Sequence, residues 1–339
     1  MNDFAPGLLT TVDMLSRWVT AELLFQLCHA PYLERLRSGD EPAAFARDFG
    51  LDPDLFEVYL CSLQREGIVE TDGKRVRLSE LGSRYCRYAG WITLFVGGYG
   101  TLFRNVDAIL RGTHRGARRD AGWVGIGSCL MSQFDSIPLT GALIERVRPD
   151  AALVLDYGCG NALSIVTLCE RNPRLRAIGV EESAVACEAA RRLVAERGLD
   201  DRVSVVNADV LSYEPTCTPD IVVFAFVLQE LAGQSGEAEL IGFLSKLGRS
   251  FPRSHVVVIE VDDVSKTDPG VFETPMGRGF YNYYFMLHPF TDQRLLPDAA
   301  WRRIFAEAGF TVVAREVVDR DIDPSGLEVG YVLEPAGRA

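Results

Sequence analysis

Apolar residues recur at helical spacing from Trp18 through Leu36 in the stretch SRWVTAELLFQLCHAPYLERLRSG, and that period predicts helix. A further helix is expected from Pro53 to Glu66, with Asp52 as its cap and Gly67 as its stop. Directly after it, IVET and KRVRLS alternate around Asp72-Gly73, a strong hairpin signal. Helix, helix and hairpin in that order is winged-helix grammar. The next stretch, YCRYAGWITLFVGGYGTLFRNVDAILRG, reads as helical and rich in aromatics. Thr113–Gly125 is basic and Gly-rich and reads as a loop, and another helical stretch covers Gly127 to Arg148.

From Ala151 the pattern changes. Short apolar runs occur in ALVLDYG, RAIGVEE, VSVVNAD, DIVVFAFVL, HVVVIEVDD, FTVVAREVV and LEVGYVLEP. Helical segments separate most of them: Asn161–Arg171, Ser183–Arg197, Gly236–Ser250 and Asp298–Ala308. Strands alternating with helices imply an α/β domain with a largely parallel, doubly wound sheet of seven strands. Ligands of such sheets sit beyond the carboxyl ends of the strands. The expected organisation is a mostly helical winged-helix dimerisation and lid domain over residues 1–125, a linker helix over 126–150, and the α/β domain over 151–339.

Composition narrows the function. The chain has 339 residues, 47% of them apolar, enough for two cores. A net charge of -12 argues against nucleic acid as a partner, because phosphate binding needs clustered Lys and Arg. The helix capped by Asp52 carries Asp54, Glu57 and Glu66 against Arg65 alone, which favours dimerisation over DNA binding. The N-terminus shows no basic n-region leading into an apolar h-region. Trp91–Phe103 is too short to span a bilayer and is interrupted by glycines. Eight scattered cysteines without a CxxC pair fit a reduced, cytoplasmic protein.

The chemistry concentrates at strand ends. The first α/β strand closes in VLDYGCGNA, giving Asp156-x-Gly158-x-Gly160. Glycines there allow a tight turn and a close approach of backbone to ligand. A dinucleotide site is the rival, and three details disfavour it. Asp156 precedes the glycines, where it holds a cationic amino group and would repel a pyrophosphate. The third Gly of the dinucleotide fingerprint is missing, since the helix enters through Asn161, Ala162 and Leu163. Glu181 closes the next strand, placed to accept hydrogen bonds from both ribose hydroxyls. The third strand ends in NADV, where Asp209 accepts from an adenine amino group and the Val210 amide donates to the ring.

Asp156, Gly158, Gly160, Glu181 and Asp209 together resemble the class I S-adenosylmethionine-dependent methyltransferases, over Ala151 to the C-terminus. The front half resembles the dimerisation domain of O-methyltransferase-type enzymes. The resemblance implies S-adenosylmethionine as cofactor, a small-molecule acceptor and a homodimer held by the N-terminal domain. In FVLQELAG, Gln229 stands where plant-type O-methyltransferases have a base histidine, and an amide cannot take a proton. Two stretches, RRDAG (Arg118–Gly122) and FYNYYFMLHPFTDQRLLPDAAWRRIFAEAGF, resemble bacterial C-methyltransferases of 2-oxo acids, such as the phenylpyruvate enzyme. That resemblance implies an iron triad at Gln229, Glu230 and His288. With one histidine, one carboxylate and an amide the ligand set is poor, so no metal is expected.

What remains implies a C-methyltransferase of specialised metabolism acting on an aromatic acceptor, at an indole C3 or the β-carbon of an aryl 2-oxo acid. Glu230 and His288 are the expected proton acceptors. Gln229 is expected to orient the acceptor, Arg119 to hold a carboxylate, and Tyr281 and Tyr284 to stack on an aromatic ring. The alternatives are an O-methyltransferase of a phenolic metabolite and a non-catalytic winged-helix ligand sensor.

Overall fold

The first helix reaches further towards the N-terminus than its apolar period suggested: α1 runs Phe4–Cys28 in the computed structural model, which describes residues 4–113 and 119–337. Two units divide the chain, Met1–Gly100 and Thr101–Ala339. In the first, α1 is followed by α2 (Leu33–Ser38), α3 (Pro42–Phe49) and α4 (Pro53–Arg65). Asp52 caps α4 as expected, accepting from the amides of Asp54 and Leu55, both at 3.0 Å. Strands β1 (Val69–Thr71) and β2 (Val76–Leu78) form the hairpin around Asp72-Gly73. Phe45, Phe56, Leu60, Leu63, Ile68 and Val76 make the core of this unit. The aromatic stretch from Tyr85 to Gly112 is not one helix. It breaks into α5 (Glu80–Arg87), α6 (Ala89–Ile92), a π-helical turn (Thr93–Gly98), α7 (Gly100–Phe103) and α8 (Val106–Leu110), with Gly97, Gly98 and Gly100 flanking the break before α7.

In the second unit, the helix expected over 126–150 is two helices, α9 (Ala121–Ser132) and α10 (Ser136–Val147). Asp120 accepts from the Trp123 amide at 3.1 Å and so starts α9 inside the stretch that reads as a loop. Asp135 takes the Ser136 amide at 2.5 Å, a local bond that interrupts the helix and begins the next. Residues 114–118, including His114 and Arg118, lie outside the described residues.

The α/β portion follows in order: β3 (Leu153–Tyr157), α11 (Leu163–Arg171), β4 (Arg176–Glu181), α12 (Ala184–Glu196), β5 (Val203–Asn207), β6 (Ile221–Ala225), α13 (Leu228–Gln234), α14 (Glu237–Ser250), β7 (His255–Val261), α15 (Asn282–Phe290), α16 (Asp298–Glu307), β8 (Phe310–Val317) and β9 (Glu328–Pro335). The sheet has seven strands in the order β5-β4-β3-β6-β7-β9-β8, parallel from β5 to β7 and antiparallel at β9 and β8. Its apolar runs are continuous because both faces are covered. Val154, Val223 and Ile259 face one core; Leu155, Phe224 and Val258 face the other. No described helix is long and apolar enough to cross a membrane.

The chain leaves β5 at one edge and returns as β6 on the far side of β3. The strand order therefore reverses between β3 and β6, the place where doubly wound sheets open a crevice.

Candidate active site

Beyond β3 the chain turns through Gly158 (φ 75°) and Gly160 (φ 54°), a backbone that side chains rarely adopt. The amides of Gly158 and Cys159 both donate to the Val180 carbonyl, at 2.8 and 3.1 Å. A Cβ on Gly158 would stand 2.5 Å from a methyl carbon of Val227, so the turns after β3 and β6 abut at the reversal point. Glu181, ending β4, accepts from the Gly160 amide at 3.1 Å and the Ser183 amide at 2.8 Å. Asp156 is 3% exposed, and burial, then the charge of Glu181, pushes its carboxyl up to about 7. Asp209 accepts from the Ser212 amide at 2.9 Å, next to the buried Val210.

A glycine turn beside one buried carboxyl, with carboxylates at the ends of the next two strands, fits a cationic amino acid joined to a ribosyl adenine. Asp156 would hold the ammonium, Glu181 the ribose hydroxyls, and Asp209 with the Val210 amide the adenine.

The polar pair that interrupts VFAFVLQELAG does not lie on the strand. β6 ends at Ala225, Phe226 adopts φ 59°, and Gln229 and Glu230 occupy the first turn of α13. A bulky residue in left-handed backbone is strained, and such strain is common where a turn aims functional groups. Gly233 lets α13 pass close to the 291–293 turn, since a Cβ there would collide with the Asp292 carbonyl oxygen.

Gln229 is buried, and its amide nitrogen Nε2 lies 3.5 Å from Nε2 of His288. His288, on α15, is 2% exposed, with Nδ1 2.7 Å from the Tyr284 carbonyl oxygen. Only a protonated Nδ1 fits a carbonyl, so Nε2 carries a lone pair. Burial holds the imidazole neutral, pushing it down to about 3; the Tyr284 carbonyl works the other way, and Arg119 adds to the lowering. Glu230 receives Arg119 in a salt bridge and the Gln293 amide at 3.0 Å. The Tyr284 ring centroid lies 3.9 Å from that of His288, and the Tyr281 hydroxyl donates to Asp323 at 2.7 Å.

Gln229, Glu230, His288, Arg119 and Tyr284 therefore meet in one place, and Tyr281 stands one ring further out. As metal donors the triad positions do not fit. Gln229 and His288 face each other, Glu230 is engaged by Arg119, and no three His, Cys, Asp or Glu among the described residues converge as a metal requires.

Sequence reasoning passed over Glu260. It is 1% exposed near the end of β7, and one oxygen accepts the Gln229 amide at 3.2 Å while the other is buried without a partner. Burial pushes this carboxyl up to about 8. A lone acid inside the apolar run HVVVIEVDD was the available signal. Gln293, which fixes Glu230, had none.

The sequence signature described as "Methyltransferase domain" matches residues 154–250. Across 336 residues the chain is 34% identical to a 2-ketoarginine methyltransferase of Streptomyces arginensis, covering 97% of this chain and 96% of that one. Among solved structures it superposes on an O-methyltransferase family protein of Burkholderia thailandensis, with a TM-score of 0.66 and 15% identity, over 98% and 99% of the two chains. It also superposes on PigF with SAH, with a TM-score of 0.66 and 14% identity, over 96% and 98%.

Proposed function

The chain belongs to the class I S-adenosylmethionine-dependent methyltransferases, with S-adenosylmethionine as its cofactor, and on that premise we propose that it methylates carbon: the carbon beside the ketone of a 2-oxo acid, in specialised metabolism. The observation that carries this reading is the meeting of Arg119, held by Glu230, with the buried Gln229–His288 pair. Arg119 offers a bidentate partner for the acceptor's carboxylate. Nε2 of His288 offers a lone pair for a proton of the adjacent carbon, which the ketone makes acidic. The likeness over nearly the full length to a 2-ketoarginine methyltransferase supports a 2-oxo acid as the acceptor class.

The cofactor supplies a methyl group on a positively charged sulfur, and a carbon nucleophile displaces that sulfur in line. The residues prepare the nucleophile. In the free protein, burial and Arg119 keep His288 unprotonated. A bound carboxylate adds negative charge beside Arg119 and so weakens one cause of the low pKa when a proton must be taken. Gln229 donates to the enolate oxygen or to His288, held in place by Glu260 through its backbone amide. Excluding water keeps the enolate from being reprotonated. The products are a 3-methyl-2-oxo acid, S-adenosylhomocysteine and a proton.

An aryl 2-oxo acid or an indole as acceptor is the second reading, favoured by the rings of Phe280, Tyr281, Tyr284 and Phe285 packed next to His288. The test uses S-adenosylmethionine with a ¹³C-methyl group and a panel of aliphatic 2-oxo acids, aryl 2-oxo acids, indoles and phenols, followed by NMR. Label on the carbon beside a ketone is the expected result, and the reacting member decides the side chain. Label on oxygen would overturn C-methylation.

A second copy of the chain is the partner proposed for α1. Leu9, Met14 and Trp18 on this helix are 68, 67 and 54% exposed, and Leu8, Val12 and Leu15 extend the apolar surface. Such a patch marks an interaction site. Light scattering should give twice the chain mass; a monomer that persists at high concentration would exclude the dimer.

A further inference from the structure

Three carboxyl groups lie buried on the far side of the aromatic cluster from His288. Asp135 precedes α10, Asp323 sits in the β8–β9 connection, and Glu328 opens β9; they are 5, 4 and 6% exposed. Glu328 pairs with Val261, beside Glu260 at the carboxyl end of β7, so the cluster occupies the same edge of the sheet as Gln229 and Glu230. Asp323 is well supplied with donors: the Tyr281 hydroxyl at 2.7 Å, the Ser325 amide at 3.0 Å and the Ser325 hydroxyl at 2.5 Å. Asp135 has the Ser136 amide. Oε1 of Glu328 is buried with no hydrogen-bond partner. Burial, and then the negative charges of Asp135 and Asp323, push the Glu328 carboxyl upward. Asp135 rises to about 6 for the same two reasons, burial first.

Burying three carboxyl groups beside an unpartnered oxygen is costly, and a proton or a bound cation offsets it. A metal ion is too small to bridge these groups, since no three described donors converge on a metal-sized point. A planar guanidinium, with five N–H donors spread over its edge, is of the right kind. The route from the reacting centre is marked by rings: Tyr284 lies against His288, Tyr281 is 6.1 Å from Tyr284, and its hydroxyl meets Asp323. We propose that Asp135, Asp323 and Glu328, with the Tyr281 hydroxyl, bind a guanidinium at the far end of the acceptor, while Arg119 and His288 engage its 2-oxo acid end. The proposal rests on the 2-oxo acid reading for its second half only.

The test compares an ω-guanidino 2-oxo acid with its ω-ureido counterpart, which has nearly the same shape and no charge. Wild type is expected to prefer the guanidino acid by at least about tenfold in kcat/KM, a lower bound on the discrimination of a site whose buried polar groups are left unpaired. Glu328→Gln should erase most of that preference by raising KM for the guanidino acid more than for the ureido acid. Asp135→Asn should act in the same direction. An undiminished preference in both variants, or equal use of the two acids by wild type, overturns the proposal.

Methylguanidinium alone separates this outcome from a failure of the 2-oxo acid reading. It should raise the Tm of wild type and compete with the acceptor, and Glu328→Gln should respond to neither. If no 2-oxo acid is methylated while methylguanidinium still stabilises wild type selectively, the cation site stands and the reading of its acceptor falls. If methylguanidinium acts alike on wild type and Glu328→Gln, the cation site falls.

Discussion

Nε2 of His288 lies 3.5 Å from Nε2 of Gln229, and the Tyr284 carbonyl on the other side of the ring fixes which nitrogen carries the proton. The lone pair therefore points at the amide of Gln229. His288→Phe, which keeps a ring and removes both nitrogens, is expected to lower kcat by roughly 10²- to 10⁴-fold, the usual scale for loss of a general base. Cofactor affinity should stay within about threefold of wild type, because His288 is distinct from the carboxylates proposed to hold the cofactor. Titration calorimetry with S-adenosylhomocysteine, beside single-turnover kinetics, reads both. Equal losses of affinity and turnover would make His288 a structural residue.

The imidazole also predicts a pH profile. Because its pKa in the free protein is pushed down to about 3, it stays ready to accept a proton throughout the neutral range. At saturating cofactor, kcat/KM for the acceptor should show no acid limb near pH 6.5, where an ordinary histidine titrates. A limb at that pH, abolished in His288→Phe, would show that the imidazole is not held neutral.

In the N-terminal unit, the thiols of Cys28 and Cys86 lie 3.2 Å apart. Their mutual contact splits their acidities: the hydrogen bond to Cys28 lowers Cys86, while hydrogen bonding to Cys86 and burial raise Cys28. Thiolate is the reactive form, so Cys86 is expected to alkylate first at neutral pH. Mass spectrometry of peptides after brief iodoacetamide treatment checks the order. Cys28→Ala should slow the labelling of Cys86 by removing the donor that lowers its pKa, and faster labelling would sink the idea.

Much of this was legible in the chain. The Asp52 cap, the Asp72-Gly73 hairpin and all seven α/β strands follow from patterns that act over a few residues. Asp156, Gly158, Glu181 and Asp209 were legible because their positions are set by where strands end. The break between α9 and α10 was not, since it depends on one side chain taking its neighbour's amide. Glu260, Gln293 and the cluster of Asp135, Asp323 and Glu328 were missed for another reason. Their partners lie far along the chain, and only the sheet's strand order brings them together. A lone acid in an apolar strand signals burial without naming the group it serves.

The proposed role of Asp156 at the cofactor's ammonium predicts a pH dependence of cofactor binding. Burial and Glu181 raise its carboxyl to about 7 in the free protein, yet only the ionised form can hold an ammonium. Cofactor affinity should therefore climb as pH rises from about 5.5 and level off above about 7.5, by up to tenfold per unit on the steep limb. Calorimetry with S-adenosylhomocysteine across that range checks it. Asp156→Asn should bind more weakly and lose the slope; a wild-type profile flat from pH 5.5 to 8.5 would place the ammonium elsewhere.

Glu260 allows stability and activity to be told apart. One of its oxygens accepts the Gln229 amide, and the other is buried without a partner, so ionising it is unfavourable. Its folded pKa, about 8, stands above the ordinary value of 4.5. A raised pKa means that the folded state holds the proton more tightly than the unfolded chain. The stability this confers is complete below about pH 4.5 and is lost as pH rises through about 8. In Glu260→Gln the amide oxygen still accepts from Gln229, but nothing ionises. Relative to wild type, the variant should match in Tm near pH 5 and be more stable at pH 8.5, by an amount on the order of a few kcal/mol. Glu260→Ala removes the acceptor as well and should destabilise at every pH, by about 2–4 kcal/mol, through an unsatisfied amide and a cavity. Turnover gives the second readout: if Glu260 works by holding Gln229 in place, Glu260→Gln keeps most of kcat and Glu260→Ala loses it, with acceptor KM moving less than kcat. Equal activity in the two variants would leave Glu260 no positioning role.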